Sequence, residues 1–185
     1  MGYSQSLKKR FTGLTIQAED LLLLEDFQVK YLQDRVPKKE FSILLHAYPM
    51  VHRFLELKYP PIASFCNTIL SEYKPAEDED NVEESCQDLL WEIADLIIFN
   101  KYPDVFDEKS GLVWEISELS SVTSLQGKTV VDAGAGTGRL AFLVAPFAEA
   151  VFAVEPVSSM RRFVREKAAR INVKNLFVID GFLDS

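Results

Sequence analysis

Apolar side chains recur at three- and four-residue intervals through the first two thirds of the chain, and that rhythm ends near residue 128. Ile16, Leu21, Leu24, Phe27, Tyr31 and Leu32 fall on one side of a helix drawn at 3.6 residues per turn, so the spacing predicts a helix there. Pro37 suits the first turn of a second helix bearing Phe41, Leu44 and Leu45. The steps Tyr48-Pro49 and Tyr59-Pro60-Pro61 interrupt the pattern, because the residue before a proline is driven out of the α region. A further helix is expected from Ile62 to Tyr73, ending at Lys74-Pro75. Residues 77–84 are acidic and aperiodic, which reads as an exposed linker. Asn81 and Glu84 form a capping pair for a helix carrying Leu89, Leu90, Ile93, Leu96 and Ile97 that should stop near Tyr102-Pro103. A short helical stretch around Trp114, Ile116 and Leu119 then runs toward Gly127, expected to close it.

From Lys128 the pattern alternates. Thr129–Asp132, Ala150–Glu155 and Leu176–Asp180 are short apolar runs, separated by helical stretches at Arg139–Phe147 and Ser158–Ile171. Strand, helix, strand, helix, strand in about sixty residues predicts a parallel sheet. Met160, Phe163, Val164, Lys167, Ala168 and Ile171 make the inner stripe of the second helix. Arg161, Arg162, Arg165 and Arg170 fall mostly on its other side, as a solvated basic face. The expected organisation is an all-helical N-terminal domain, residues 1–118, serving as lid or substrate module, followed by a partial Rossmann-like α/β domain, residues 119–185.

Composition adds bounds. The 185 residues are 48% hydrophobic and 26% charged, ordinary for a globular chain. No apolar run is long enough for a membrane span, and the N-terminus lacks a signal pattern, so the expected setting is cytoplasmic. Cys66 and Cys86 lie too far apart for a CxxC site, and they read as free thiols in or near a helical core, with no metal site expected. Residues 125–185 carry eight basic and six acidic side chains, a net of +2, leaving −10 of the total −8 on residues 1–124. So acidic a region would repel nucleic-acid phosphates, which disfavours a nucleic-acid partner.

The chemistry concentrates in Thr129-Val130-Val131-Asp132-Ala133-Gly134-Ala135-Gly136-Thr137-Gly138-Arg139. A dinucleotide loop needs GxGxxG, and Arg139 occupies the third glycine's place. The spacing is GxGxG, and Asp132 precedes it. An acid there would repel a pyrophosphate but suits a cationic ligand bearing an amino group. With these residues the chain resembles the class I S-adenosylmethionine-dependent methyltransferases, over about residues 120–185. The resemblance implies S-adenosyl-L-methionine as cofactor, with Asp132, Gly134, Ala135, Gly136, Thr137 and Gly138 lining its amino-acid half. It further implies that Glu155, followed by Pro156, accepts the ribose hydroxyls, and that Asp180, with Gly181 and Phe182, meets the adenine. Carboxylates suit these roles because each can accept two hydroxyl donors or an amino donor.

The family's core has seven strands in the order 3-2-1-4-5-7-6, and residues up to 185 supply three. The resemblance therefore implies the N-terminal portion of a longer enzyme, or a first strand left as an apolar edge that pairs with a second copy of the chain. The expected function is methyl transfer to an unidentified acceptor, a small molecule being favoured. The alternatives are a non-catalytic cofactor-binding or interaction protein acting through its helical domain, and a nicotinamide-dependent oxidoreductase, the latter disfavoured by Asp132 and Arg139. His46, Tyr48, His52 and Tyr102 are the acid–base candidates of the helical part; none is assigned as catalytic.

Overall fold

The computed structural model describes residues 3–74, 81–109 and 115–182. They form two compact units, Met1–Lys101 and Tyr102–Ser185. The first is helical: α1 (Tyr3–Arg10), a 3-10 turn (Ala18–Leu23), α2 (Asp26–Arg35), α3 (Lys38–Ala47), α4 (Pro49–Lys58), α5 (Ile62–Glu72), α6 (Val82–Glu92) and α7 (Ala94–Lys101). The second contains α8 (Pro103–Lys109), α9 (Ile116–Val122), β1 (Thr129–Ala133), α10 (Arg139–Val144), β2 (Ala150–Val154), α11 (Ser158–Arg170) and β3 (Leu176–Ile179). Trp114 and residues 77–80 of the expected linker lie outside the described residues.

Prolines set several boundaries in the helical unit. Pro37 stands at the N-cap of α3, Pro49 is the first residue of α4, and Pro61 precedes α5. These are positions where the missing N–H removes no intrahelical bond. Phe41, Leu44, Leu45, Leu55, Ile62, Ile69 and Leu89 are buried in the core. Each such side chain contributes roughly 1.5–3 kcal/mol through its removal from water. Both cysteines are buried free thiols. Burial, with a push from Glu56, raises Cys66 to about 11, which makes it a packing residue rather than a nucleophile.

The pattern misled at three places in the helical part. Residues expected to share one helix are split between the 3-10 turn and α2. The helix expected from Asn81 to Tyr102 breaks at Ile93, whose backbone leaves helical geometry between α6 and α7. Asn81 caps α6 without bonding the helix backbone through its side chain; its amide instead donates to the Glu84 carboxylate.

The two units divide at residues 101/102, so the stretch to 118 does not stay with the helical unit. Asp107 on α8 is bonded to Arg139 and Lys167, and Ile116 and Leu119 on α9 pack against the core of the sheet. Gly127, expected to end a helix, lies beyond α9 in the turn into β1. There its φ of +66° suits glycine, and the Lys128 N–H donates to the Leu125 carbonyl.

The sheet is parallel in the order β1-β2-β3, with Val131, Phe152 and Phe177 in one row and Ala133, Val154 and Ile179 in the next. Alternate side chains of a strand point to opposite faces. Val151, Ala153 and Leu176 face α10 and α11 and join Ala141, Val144, Ala145 and Val164 in the core. The other rows face outward: Val131 is 60% exposed, Phe177 47% and Ile179 44%, with Phe152 and Phe177 stacked at 5.4 Å between ring centres. Among the described residues β1 pairs only with β2 and forms an edge. The sheet with its connecting helices is a Rossmann-like α/β fragment. No helix among the described residues is long and apolar enough to cross a membrane.

Candidate functional site

The carboxyl ends of β1, β2 and β3 lie side by side, and the glycine loop runs from the first across to α10. Its three glycines have positive φ, +72° at Gly134, +54° at Gly136 and +77° at Gly138, a region that side chains with a Cβ enter only at a cost. They differ in surroundings. A Cβ on Gly134 would meet nothing within 4 Å, whereas one on Gly138 would stand 3.0 Å from Val164 Cγ1 and 3.1 Å from the Phe142 ring. Gly138 is the close-packing glycine, letting the start of α10 rest on α11. Gly134 leaves open space beside the loop backbone.

The loop is stitched to the neighbouring strand. The N–H groups of Gly134 and Ala135 both donate to the Val154 carbonyl, at 2.9 and 3.0 Å, and the Gly136 N–H donates to Glu155 Oε2 at 2.7 Å. Glu155 Oε1 accepts the Val157 N–H at 2.8 Å, so this acid also orders the entry to α11. Asp132 Oδ2 accepts the Ala141 N–H at 3.0 Å and satisfies an otherwise orphaned donor in the first turn of α10. Thr137 is buried, Ala135 and Pro156 are half-buried, and Gly181 and Phe182 follow β3.

Asp132 and Glu155 are both buried. Burial pushes the Asp132 carboxyl above the usual aspartate value, only partly countered by the Ala141 N–H. Burial likewise raises Glu155; the Val157 and Gly136 N–H groups and the Arg161 charge pull it back, and the Asp132 charge adds a further push. Neither makes an ion pair among the described residues. Carboxylates short of positive charge suit a ligand that brings some, and each oxygen keeps a lone pair for a further donor.

Asp180 sits differently. Its side chain is 69% exposed and pairs at 2.9 Å with Arg161 Nη1, whose own side chain is only 14% exposed. The same nitrogen donates to the Glu155 carbonyl at 2.8 Å, and Arg165 donates to the Val178 carbonyl at 2.9 Å. Two arginines read from the sequence as a solvated face therefore fold over the strand ends. Arg161 ties the ends of β2 and β3 together; helix periodicity places its Cα on the outer side and says nothing of where a long side chain turns. Of the acid–base candidates, His46 Nδ1 lies 2.9 Å from the Ser42 carbonyl and His52 Nε2 lies 3.3 Å from Glu56, both within the helical unit. Tyr48 lines a cavity of about 180 Å³ there, with Glu19, Glu83 and Cys86.

No family model and no curated protein sequence matches the chain. Among solved structures, a stretch is similar to phosphoethanolamine N-methyltransferase 1 of Haemonchus contortus, determined with phosphoethanolamine and S-adenosylhomocysteine. The identity is 33% over 35% of this chain and 13% of that one, with a TM-score of 0.32. Another is similar to the YcgJ protein of Bacillus subtilis, with 22% identity over 37% of this chain and 30% of that one and a TM-score of 0.35. The chain thus spans less than a third of either structure, and the functional reading rests on the loop and its acids.

Proposed function

We propose that the α/β unit binds S-adenosylmethionine and that the chain is a methyltransferase, or the cofactor-binding portion of one, acting on a small-molecule acceptor. The observation that carries this reading is the juxtaposition of Asp132, Glu155 and Asp180 at the ends of three adjacent parallel strands, beside a positive-φ glycine loop. Open α/β sheets take their ligands at that edge. Asp132 and Glu155 bring buried negative charge, which discourages phosphates and favours a cation with hydroxyl donors.

In this reading Gly134, Ala135, Gly136, Thr137 and Gly138 hold the amino-acid half of the cofactor, with Asp132 beneath them. Glu155 and Pro156 take the ribose, and Asp180, Gly181 and Phe182 flank the base. When bound, the cofactor supplies an electrophilic methyl group on its sulfonium. The chain's own contribution is to orient: the loop N–H groups are already committed to Val154 and Glu155, so the pocket is shaped before a ligand arrives.

Calorimetric titration of S-adenosylmethionine and S-adenosylhomocysteine tests this. Binding should weaken by roughly 10- to 100-fold in Asp132→Ala and in Glu155→Ala, the usual loss when a hydrogen bond to a charged group is removed. Absence of binding by the folded wild-type chain, or binding of a nicotinamide dinucleotide in its place, overturns the reading. Binding without methyl transfer to any acceptor would leave a cofactor-binding protein without catalysis.

A further inference from the structure

Three positive-φ glycines in five residues give the loop many alternative paths, and β2 holds only its first half. Gly134 and Ala135 are fixed to Val154 and Gly136 to Glu155. The second half, Thr137 to Arg139, is anchored elsewhere. On α8, Asp107 Oδ2 accepts Lys167 Nζ at 2.6 Å, and Oδ1 lies 3.4 Å from Arg139 Nε. Thr137 helps hold the Asp107 carboxyl below its ordinary value, and Arg139 Nη2 donates to the Asp107 carbonyl. Lys167 is held over the rings of Phe142 and Phe163, 4.9 and 5.6 Å from their centres. One carboxylate thus meets two residues of the loop and one of α11. The pair is largely sheltered, with Asp107 and Lys167 side chains 18% and 20% exposed, so its loss leaves two sheltered cations without their shared anion.

We propose that Asp107 is a positioning residue for the glycine loop. It clamps Thr137 and Arg139 to α11 through Lys167, so that cofactor affinity depends on a helix that contains none of the loop's own residues. The affinity part of this inference rests on the S-adenosylmethionine reading; the clamp itself does not. Preorganisation is the physical link. A loop fixed at both ends pays little ordering entropy on binding, and one fixed only at β2 pays more.

Amide hydrogen exchange in the unliganded chain, followed residue by residue, tests the clamp in Asp107→Asn and in Lys167→Met. The methionine keeps an unbranched side chain beside Phe142 and Phe163 and removes the ammonium, with its contacts to Asp107 and to the two rings. Exchange at Gly138, whose N–H donates to the Ala135 carbonyl, should speed up at least tenfold in both variants, with Val151 and Glu155 in β2 and its end unchanged. Lys167→Arg should restore most of the protection. In parallel, S-adenosylhomocysteine should bind the two charge-removing variants at least tenfold more weakly than wild type. Unchanged loop exchange in both variants overturns the proposal, as does a uniform rise across the sheet, which would make Asp107 a general stabilising contact. Loosened loop amides in a protein whose wild type binds no S-adenosylhomocysteine would uphold the clamp and sink the cofactor reading alone.

Discussion

The two units differ in how they hold their most deeply buried acids. In the helical unit, sheltered charges come in pairs: Asp20 with Lys101 at 2.8 Å, Arg35 with Asp95 at 2.8 Å, and Glu25 with Lys58 at 3.0 Å. Asp20 also accepts the Gln17 N–H at 2.8 Å, fixing the start of the 3-10 turn. In the α/β unit, the two most deeply buried acids, Asp132 and Glu155, are satisfied by backbone N–H groups and lack an ion-pair partner among the described residues. Paired charges are finished structure. Acids held by amides without an ion-pair partner keep an unspent attraction for positive charge, and on the proposed reading it is the ligand that meets it.

Substitutions can break this comparison or sharpen it. The largest effect belongs to the scaffold: Phe41→Ala, in the centre of the helical core, should lower stability by about 3–5 kcal/mol, read from the denaturant midpoint. Next comes the glycine pair. Gly138→Ala combines a left-handed backbone with a Cβ 3.0 Å from Val164 and should cost about 3 kcal/mol. Gly134→Ala meets open space and should cost only about 1 kcal/mol, while weakening S-adenosylhomocysteine as strongly as the acid variants do. Equal destabilisation by the two would erase the distinction between a packing glycine and a ligand-facing one.

Smaller effects should differ in sign. Asp20→Asn, which removes the charge paired with Lys101, is expected to destabilise by about 1–2 kcal/mol. Asp132→Asn retains an acceptor for the Ala141 N–H and removes an uncompensated charge. It should raise stability by about 1 kcal/mol while weakening ligand binding by roughly tenfold or more, the exchange seen where sites are strained for function. Thermal melts of both at neutral pH decide this, and a loss of stability in Asp132→Asn would mean that the acid is ordinary structure.

The smallest effect is in pH. Burial pushes Asp107 up, but the hydrogen bonds from Lys167 and Thr137 and the charges of Lys167 and Arg139 outweigh it and hold the carboxyl below the usual aspartate value. Its contribution is therefore full above that ordinary value and is lost as pH falls through the lower folded one. The raised carboxyls of Asp132 and Glu155 act oppositely, eroding stability as pH rises from their ordinary values through their folded ones. Melting temperatures across the acid range should show the first loss vanish in Asp107→Asn and the second shrink in Asp132→Asn.

Much of the α/β unit was legible because its signals are local. Strand runs, a glycine turn and acids at strand ends lie within a few residues of one another, and all three strands fall within a residue of where the pattern put them. Proline chemistry located the breaks at 48–49 and 59–61 for the same reason. It also explains the early end of α10 at Val144: Pro146 has no N–H to carry the helix on. Other features carry no local mark. Ala18, Leu21 and Leu24 are buried at a spacing of three, which fits a 3-10 turn as well as a helix face. Ile93 interrupts a helical apolar stripe with neither glycine nor proline. That Asp107 reaches the glycine loop across 30 residues, or that Arg161 turns back over β2, depends on tertiary contacts that no periodicity encodes.

The outward rows of the sheet have a practical side. Val131, Phe152 and Phe177 form a continuous oily strip across three strands, the kind of surface to which solvatochromic dyes adsorb. The native protein should therefore fluoresce brightly with an anilinonaphthalene probe before any heating, and dye-based melting curves will begin high and flatten. Melts followed by circular dichroism or calorimetry avoid that artefact, and Phe177→Ser should restore a dark baseline.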